Sequence, residues 1–425
     1  MPMHSAGTTH AWYSENMNDN IVITGIGVVS SIGTGKDAFW QALKEGRSGI
    51  KPVTLFDTSS LKVRLGGEVS DFKPEEILGP KGLRTLDRAT KLLLCAGSLA
   101  LADAKLDIND ESSNSVGTCI GTTLGHLWSS SEFDKSALRE GPRYVNPAEF
   151  PNTVMNSPAS QLNIRFKIKG PCATILSGFT SSLDAIEYSL NLIRNNRAEI
   201  VLAGALEDLA EQNYLGFYKT QFLAGLRGQE ISSPFDKRRN GAIFGEGSGV
   251  VVLEKEESAR KRGARIYARI SGYGTSFYPY KIDRYEPQGK GLKKAVEFAL
   301  SSANLAPKDI DYISSAANST VEGDLIETDV IKEVFKEKAA KLPISSIKSM
   351  LGETYSAAGI LQLVSAVASI NDGFIPPTIN YEQKDASCDL DCVPNKARPV
   401  AVNNVLIDAF GPSGANSCLI VSKHK

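Results

Sequence analysis

Residues able to do chemistry are few in this chain, and their positions narrow the reactions open to it. Histidine occurs four times, at His4, His10, His126 and His424. Three of these lie in the terminal segments, so a reaction that needs two interior imidazoles cannot be run by this chain alone. The six cysteines, Cys95, Cys119, Cys172, Cys388, Cys392 and Cys418, show none of the dense spacing of a disulfide framework and are expected as reduced thiols. Cys388 and Cys392 are close enough to suggest a metal pair, but no second pair or neighbouring histidine completes a tetrahedral set, so neither a metal nor another cofactor is expected. The run from Gly25 to Gly33 superficially suggests a dinucleotide loop. Ser30 stands where the third glycine of that fingerprint belongs, and the run reads as a structural turn. The basic runs Lys237-Arg238-Arg239 and Arg260-Lys261-Arg262 read first as solvated faces and second as an attraction for an acidic carrier protein. His126 has no evident partner and reads as a structural or surface residue.

Any such residues must be held by a scaffold, and the composition supplies one. Hydrophobic residues make up 42% and charged residues 22%, which leaves ample apolar surface to bury. Lys plus Arg number 47 against 48 for Asp plus Glu, a net charge of −1 that removes the electrostatic footprint of a nucleic-acid binder. No apolar run approaches the roughly 20 residues that span a bilayer. Residues 1–20 lack a hydrophobic signal core and read as a flexible tail, so no membrane is involved and a cytoplasmic location is expected. At about 100–200 residues per domain, the remainder should form two halves, 21–265 and 266–425, joined near the charged stretch Lys255 to Arg265. Apolar runs at Ile21 to Gly25, Glu199 to Leu206, Gly249 to Glu254, Ile266 to Ile270, Ile310 to Ser314 and Cys418 to Ser422 read as strands. Helical patterns cover Arg88 to Lys105, Gly291 to Asn304, Asp324 to Glu337 and Ala357 to Asn371. Alternation of the two along the whole chain predicts an α/β architecture.

Four segments carry a resemblance. They are Ile21 to Ser30, Ser233 to Gly241 with Phe244 to Gly249, Lys348-Ser349, and Phe410 to Asn416. In this order and spacing the chain resembles the β-ketoacyl synthases, condensing enzymes of the thiolase superfamily. The resemblance implies a five-layer α-β-α-β-α fold of two similar halves and a dimer. Working members use a cysteine at the start of a buried helix, where the dipole and free amides favour the thiolate, and two histidines that stabilise charge on a malonyl thioester.

Carried over position by position, that set is missing. The nucleophile segment is Gly170 to Asp184, and the cysteine's place falls on Phe179, which has no atom able to form a thioester. Cys172 lies seven residues too early and is expected on the preceding strand. Ala316 occupies the first histidine position and Glu353 the second. Asp324 and Lys348 match the family and are expected to form a buried ion pair. Gln362 replaces a companion glutamate. Phe410 matches, while Gly411-Pro412-Ser413-Gly414 replaces a mobile aromatic gate.

This pattern is similar to the chain length factors, the ketosynthase β subunits of type II polyketide synthases. The likeness implies a catalytically inactive subunit paired with a ketosynthase α subunit, working on chains held by an acyl carrier protein and shaping the tunnel that sets their length. The tunnel candidates are Leu124, Leu127, Trp128, Ser131 and Phe133, with ordinary core or interface packing as the competing reading. Two alternatives stay open. One is an acyl-transfer enzyme using Ser177 or Thr180, weakened because no neighbouring base is apparent. The other is a free-standing acyl-binding scaffold.

Overall fold

The computed structural model describes residues 20–424, so the tail reading of residues 1–20 falls almost wholly outside them. Ten strands follow one hydrogen-bonded path: β1 (Ile21–Ser30), β2 (Val116–Gly121), β3 (Cys172–Ile175), β4 (Ile200–Glu207), β5 (Gly247–Lys255), β6 (Ala268–Phe277), β7 (Tyr312–Ser314), β8 (Ile344–Ser345), β9 (Asn404–Phe410) and β10 (Ala415–Ser422). An eleventh, Gly33–Thr34, pairs with β1 alone. The helices that matter for the site are α1 (Arg88–Asp103), α2 (Leu127–Glu140), α3 (Ser157–Phe166), α4 (Ser181–Arg194), α5 (Lys290–Ser302), α6 (Val321–Phe335) and α7 (Ala358–Asp372).

The strand order is β8-β7-β9-β10-β6-β1-β5-β4-β2-β3. Read inward from either end, each half has two parallel pairings and then two antiparallel ones. The halves therefore repeat one topology. They join where Ile21 to Ile23 of β1 run antiparallel to Ala268 to Ile270 of β6.

Alternation along the strands sorts side chains into layers. On β4, Val201, Ala203 and Ala205 face a central cluster, while Leu202 and Leu206 face an outer one. On β10, Leu419 and Val421 face the centre, while Cys418 and Ile420 face the opposite outer layer. The centre is filled by α4 and α7. The former offers Leu183, Ile186, Leu190 and Ile193 at helical spacing, and the latter is buried from Ala358 to Ile370. Helices α1 and α3 cover one outer face, α5 and α6 the other. This is the thiolase-like fold of two similar halves.

The glycine run at the start belongs to the core, not to a loop. β1 extends unbroken to Ser30, and a Cβ on Gly27 would lie 1.8 Å from the Ala96 carbonyl oxygen of α1. Glycine there lets helix and strand backbones touch, which accounts for the fingerprint without a nucleotide. No helix among the described residues is long and apolar enough to cross a membrane.

Candidate functional site

Parallel strands β2, β3, β7 and β8 end on the same side of their half-sheets, and hydrogen bonds link the loops that follow β2, β3 and β7 to the segment Glu353–Ser356 that leads into α7. Clefts beyond the carboxyl ends of such strands are where α/β folds bind ligands. Cys172 opens β3, as expected, with its thiol exposed. The chain then turns through Gly178, φ 69°, into the short turn Gly178–Thr180 that precedes α4.

Phe179 sits in that turn at 6% exposure. Its ring centroid is 4.6 Å from that of Tyr355, nearly perpendicular, and 6.0 Å from Phe222. Phe217 extends the cluster to Phe222, Tyr355 and Phe244 at 5.3, 5.5 and 4.8 Å. On the other side Gly411 leaves room for the ring, since a Cβ there would stand 2.2 Å from Phe179 Cδ2. The start of α4 is thus capped by an aromatic plug of the T-shaped and tilted kind.

Around the plug, Ser177 and Thr180 both donate hydroxyl hydrogen bonds to Asp184. The sequence had offered no base near these hydroxyls, and Asp184 is such a neighbour. Its carboxylate also accepts from Tyr273, at 2.6 Å, and from Ser417, so its lone pairs are committed to four hydroxyls that tie α4 to β6 and β10.

The second cluster is ionic. Glu353, 1% exposed, accepts from Lys348 Nζ at 2.8 Å and Asn318 Nδ2 at 2.9 Å through one oxygen, and from the Tyr355 backbone N–H at 2.9 Å through the other. Lys348 also donates to the Ala316 carbonyl at 2.9 Å. The expected Asp324–Lys348 pair is therefore corrected. Glu353 takes the lysine, while Asp324 accepts from the backbone N–H groups of Phe235 and Asn318 at 2.9 and 3.1 Å. Burial lifts Asp324 to about 6 despite those bonds. The methyl of Ala316 has no part in the network; its backbone N–H donates to Asp408 at 2.9 Å. Burial raises Asp408 to about 6 and neighbouring Glu327 well above its usual range. Gln362 donates to the carbonyls of Ser314 and Asp408. Phe410 packs its ring against Tyr285 at 5.7 Å.

The third element is Glu207 at the end of β4, fully buried. It accepts from the Leu124 N–H at 2.9 Å and more weakly from that of Thr123, and burial raises it to about 7. Ser356 reaches Thr123 at 2.7 Å, linking this acid to the loop that carries Glu353 and Tyr355.

The tunnel candidates do not converge. Leu124 lies over Glu207. Trp128, 45% exposed, lines a cleft of about 1330 Å³ together with Phe72, Arg84, Arg88, Glu132 and Arg139. Leu127 and Ser131 do not line it, and Phe133 stacks on Phe150 at 6.0 Å. Neither Phe179 nor Glu353 borders this cleft. The basic runs are mostly solvent-facing, as expected, with Lys237, Arg260, Lys261 and Arg262 exposed, and four of their six cations are paired with carboxylates. Arg238 pairs with Asp236 and Glu382, buried Arg239 with Asp385, Arg260 with Glu256 and Arg262 with Glu254. His126 is partly buried with Nδ1 unpartnered, and desolvation lowers its pKa. Cys388 and Cys392 are both buried, and among the described residues no three His, Cys, Asp or Glu side chains form a metal-sized group. Sequence reasoning missed Asn318, Asp184, Tyr355 and Glu207. Asn318 lay inside the segment already aligned, two residues after Ala316.

Fold and site together define a condensing-enzyme scaffold, and known proteins agree. Models of the β-ketoacyl synthase N-terminal and C-terminal domains match residues 18–259 and 267–382. A 3-oxoacyl-[acyl-carrier-protein] synthase 2 of Coxiella burnetii is 37% identical over 95% of this chain and 98% of its own length. One from Synechocystis is 35% identical over the same shares. Among solved structures, the ishigamide ketosynthase/chain length factor matches at a TM-score of 0.90 and 30% identity, covering 96% of this chain and all of that one. A type II PKS acyl-carrier protein in complex with its ketosynthase bound to the hexaketide matches at 0.86 and 28% identity, with the same coverage. The chain belongs to the β-ketoacyl synthase family.

This comparison corrects one expectation. Relatives 33–37% identical across nearly the whole chain are named for 3-oxoacyl-[acyl-carrier-protein] synthesis, so the reading of the chain as an inactive chain length factor is not retained.

Proposed function

We propose that the chain serves 3-oxoacyl-[acyl-carrier-protein] synthesis as one member of a ketosynthase pair that receives acyl chains from a carrier protein. The observation that carries this reading is the likeness to synthases of that name over 95% of this chain and 98% of the relative. Phe179 takes the position that resembles the family's nucleophile and offers no thiolate, so the thiolate of the pair belongs to a second, cysteine-bearing ketosynthase chain. Ala316 and Glu353 stand at the positions that resemble the two histidines. Likeness to the ishigamide ketosynthase/chain length factor and to a ketosynthase in complex with its acyl-carrier protein supports both partners.

The surface is suited to pairing. β3 ends the sheet with its outer edge unpaired among the described residues, beside exposed Val154, Met155 and Leu176. An open strand edge flanked by apolar side chains is a surface proteins ordinarily cover.

The test is to co-express the chain with a cysteine-bearing ketosynthase of the same organism, then supply octanoyl- and malonyl-loaded carrier protein and read the products by mass spectrometry. A one-to-one assembly that forms 3-oxoacyl carrier protein is expected. An assembly that forms none, or two chains that never associate, overturns the proposal.

A further inference from the structure

Two aromatic side chains bear on consecutive residues of one loop. Gly411 makes room for the Phe179 ring, and the ring of Tyr285 stands edge-on to its neighbour Phe410, centroids 5.7 Å apart. Tyr285 belongs to a strap, residues 278–289, that crosses from β6 to α5. At its entry the Tyr278 N–H donates to the Gly414 carbonyl at 2.9 Å. At its exit the Glu286 carboxylate accepts from the backbone N–H groups of Gln288 and Lys290 at 3.0 and 2.6 Å. Between these ties little holds the strap down. Residues 279–284 are all exposed, and Asp283 turns the chain at φ 62°. Segments with so few buried contacts are the ones that open locally before the rest of a fold.

Tyr285 is the side chain that goes inward. The residue is half-buried, yet its hydroxyl end is enclosed beside the side chains of Thr320 and Asn318, where burial raises the pKa of the phenol. The hydroxyl oxygen lies over the first turn of α6, and a Cβ on Gly323 would stand 3.2 Å from it. Glycine at that position leaves the space that the phenol fills. Asn318 is the residue that donates to Glu353 at 2.9 Å, and Glu353 in turn holds Lys348. Asn318, Thr320, Lys348 and Glu353 are all buried, so the Tyr285 ring is the layer between this set and the exposed strap. Thr320 and Asn318 already bond one another at 2.7 Å. What fills the gap is therefore the ring more than the hydroxyl.

We infer that Tyr285 is a bolt that shuts this chain's own approach to the Lys348–Glu353 pair, and that lifting the strap withdraws it. With Phe179 on Gly411 and Tyr285 on Phe410, the centre of the chain is shut to a thioester at two places. The closure belongs to this chain's own fold and goes beyond the function proposed above, which stands whether or not the bolt exists.

The experiment treats the full-length chain with a trace of acetic anhydride and follows the acetylation of individual lysines by peptide mass spectrometry. Lys36 of the N-terminal half, held by Asp103 with its side chain 13% exposed, reports any loosening of the whole fold. In the wild type Lys348 should react at least about a hundredfold more slowly than exposed Lys281. Tyr285→Ala should speed Lys348 at least about tenfold and leave Lys36 unchanged. Tyr285→Phe keeps the ring and should keep the slow rate. Gly289→Ala is the second variant: at φ 61° its Cβ would stand 2.3 Å from Val330 Cγ2 of α6, so it should pry up the exit of the strap and speed Lys348 with Tyr285 still present. It decides the matter if Tyr285→Ala does not fold. A wild-type rate at Lys348 in both Tyr285→Ala and Gly289→Ala overturns the inference, as does a wild-type Lys348 that reacts like Lys281. Equal acceleration of Lys36 and Lys348 would mean general loosening and overturns it too. So does a Tyr285→Phe chain that reacts as fast as Tyr285→Ala, since the ring would then not be the bolt.

Discussion

At the scale of single residues, the centre of the site is the buried ion pair of Lys348 and Glu353. Glu353 and Lys348 are almost wholly excluded from solvent, and the carboxylate is saturated by lysine, Asn318 and the Tyr355 amide. Charges buried this way hold only as a set, since removing one leaves the other unpaired at a cost of about 3–5 kcal/mol. Lys348→Met should therefore lower unfolding stability by about that much in urea titration, and Lys348→Met with Glu353→Leu should recover most of it. A single variant that costs under about 1 kcal/mol would show that the pair is not confined as described. The sequence placed Ala316 and Glu353 at the positions that resemble the family's histidines by their spacing from Asp324 and Lys348. The partner of Lys348 was not legible in it. Sequence spacing puts Asp324 and Glu353 on opposite sides of the lysine, and only the fold decides which carboxylate reaches it.

At the scale of elements, the same loop that carries Glu353 is fastened to the end of β4 through Ser356, Thr123 and Glu207. Burial shifts Glu207 upward, to about 7 from an ordinary 4.5. The folded chain then binds a proton that the unfolded chain has lost, so stability is full below pH about 4.5 and falls as pH rises through about 7. The loss for this one group is about 3 kcal/mol. Asp324 and Asp408 act in the same direction. Glu207→Gln should flatten the fall in melting temperature between pH 5 and 8, whatever it costs overall. An unchanged slope would place the titration elsewhere. Strands and helices were largely legible from periodicity, and the boundaries of α1, α5 and α7 fall within a residue or two of expectation. The glycines at the opening of the chain were read as a turn rather than a dinucleotide loop, and the structure puts Gly25 and Gly27 inside β1, where they let the strand touch α1. Helical spacing says which residues share a face of α2, but not whether that face looks into a cavity.

At the scale of the whole molecule, the repeat of one strand topology in both halves places four loops around a single seam, and β3 leaves one edge of the sheet open. The fold was legible because four short motifs occurred in order across nearly the whole chain. Function was less so. Motifs that report the scaffold persist when the reactive side chains change, so the losses at Phe179, Ala316 and Glu353 were read as a particular subunit role that the named relatives do not share. What remains is a β-ketoacyl synthase scaffold with an aromatic plug at the start of α4, and the pair proposed above would draw its thiolate from the second chain. The most direct measurement is the intact mass of each chain after the assembled pair has been incubated with octanoyl-loaded carrier protein alone. The account predicts one acyl adduct, on a cysteine of the partner chain, and an unchanged mass for this one. An adduct on Ser177, Thr180 or any other residue of this chain, with none on the partner, would contradict it.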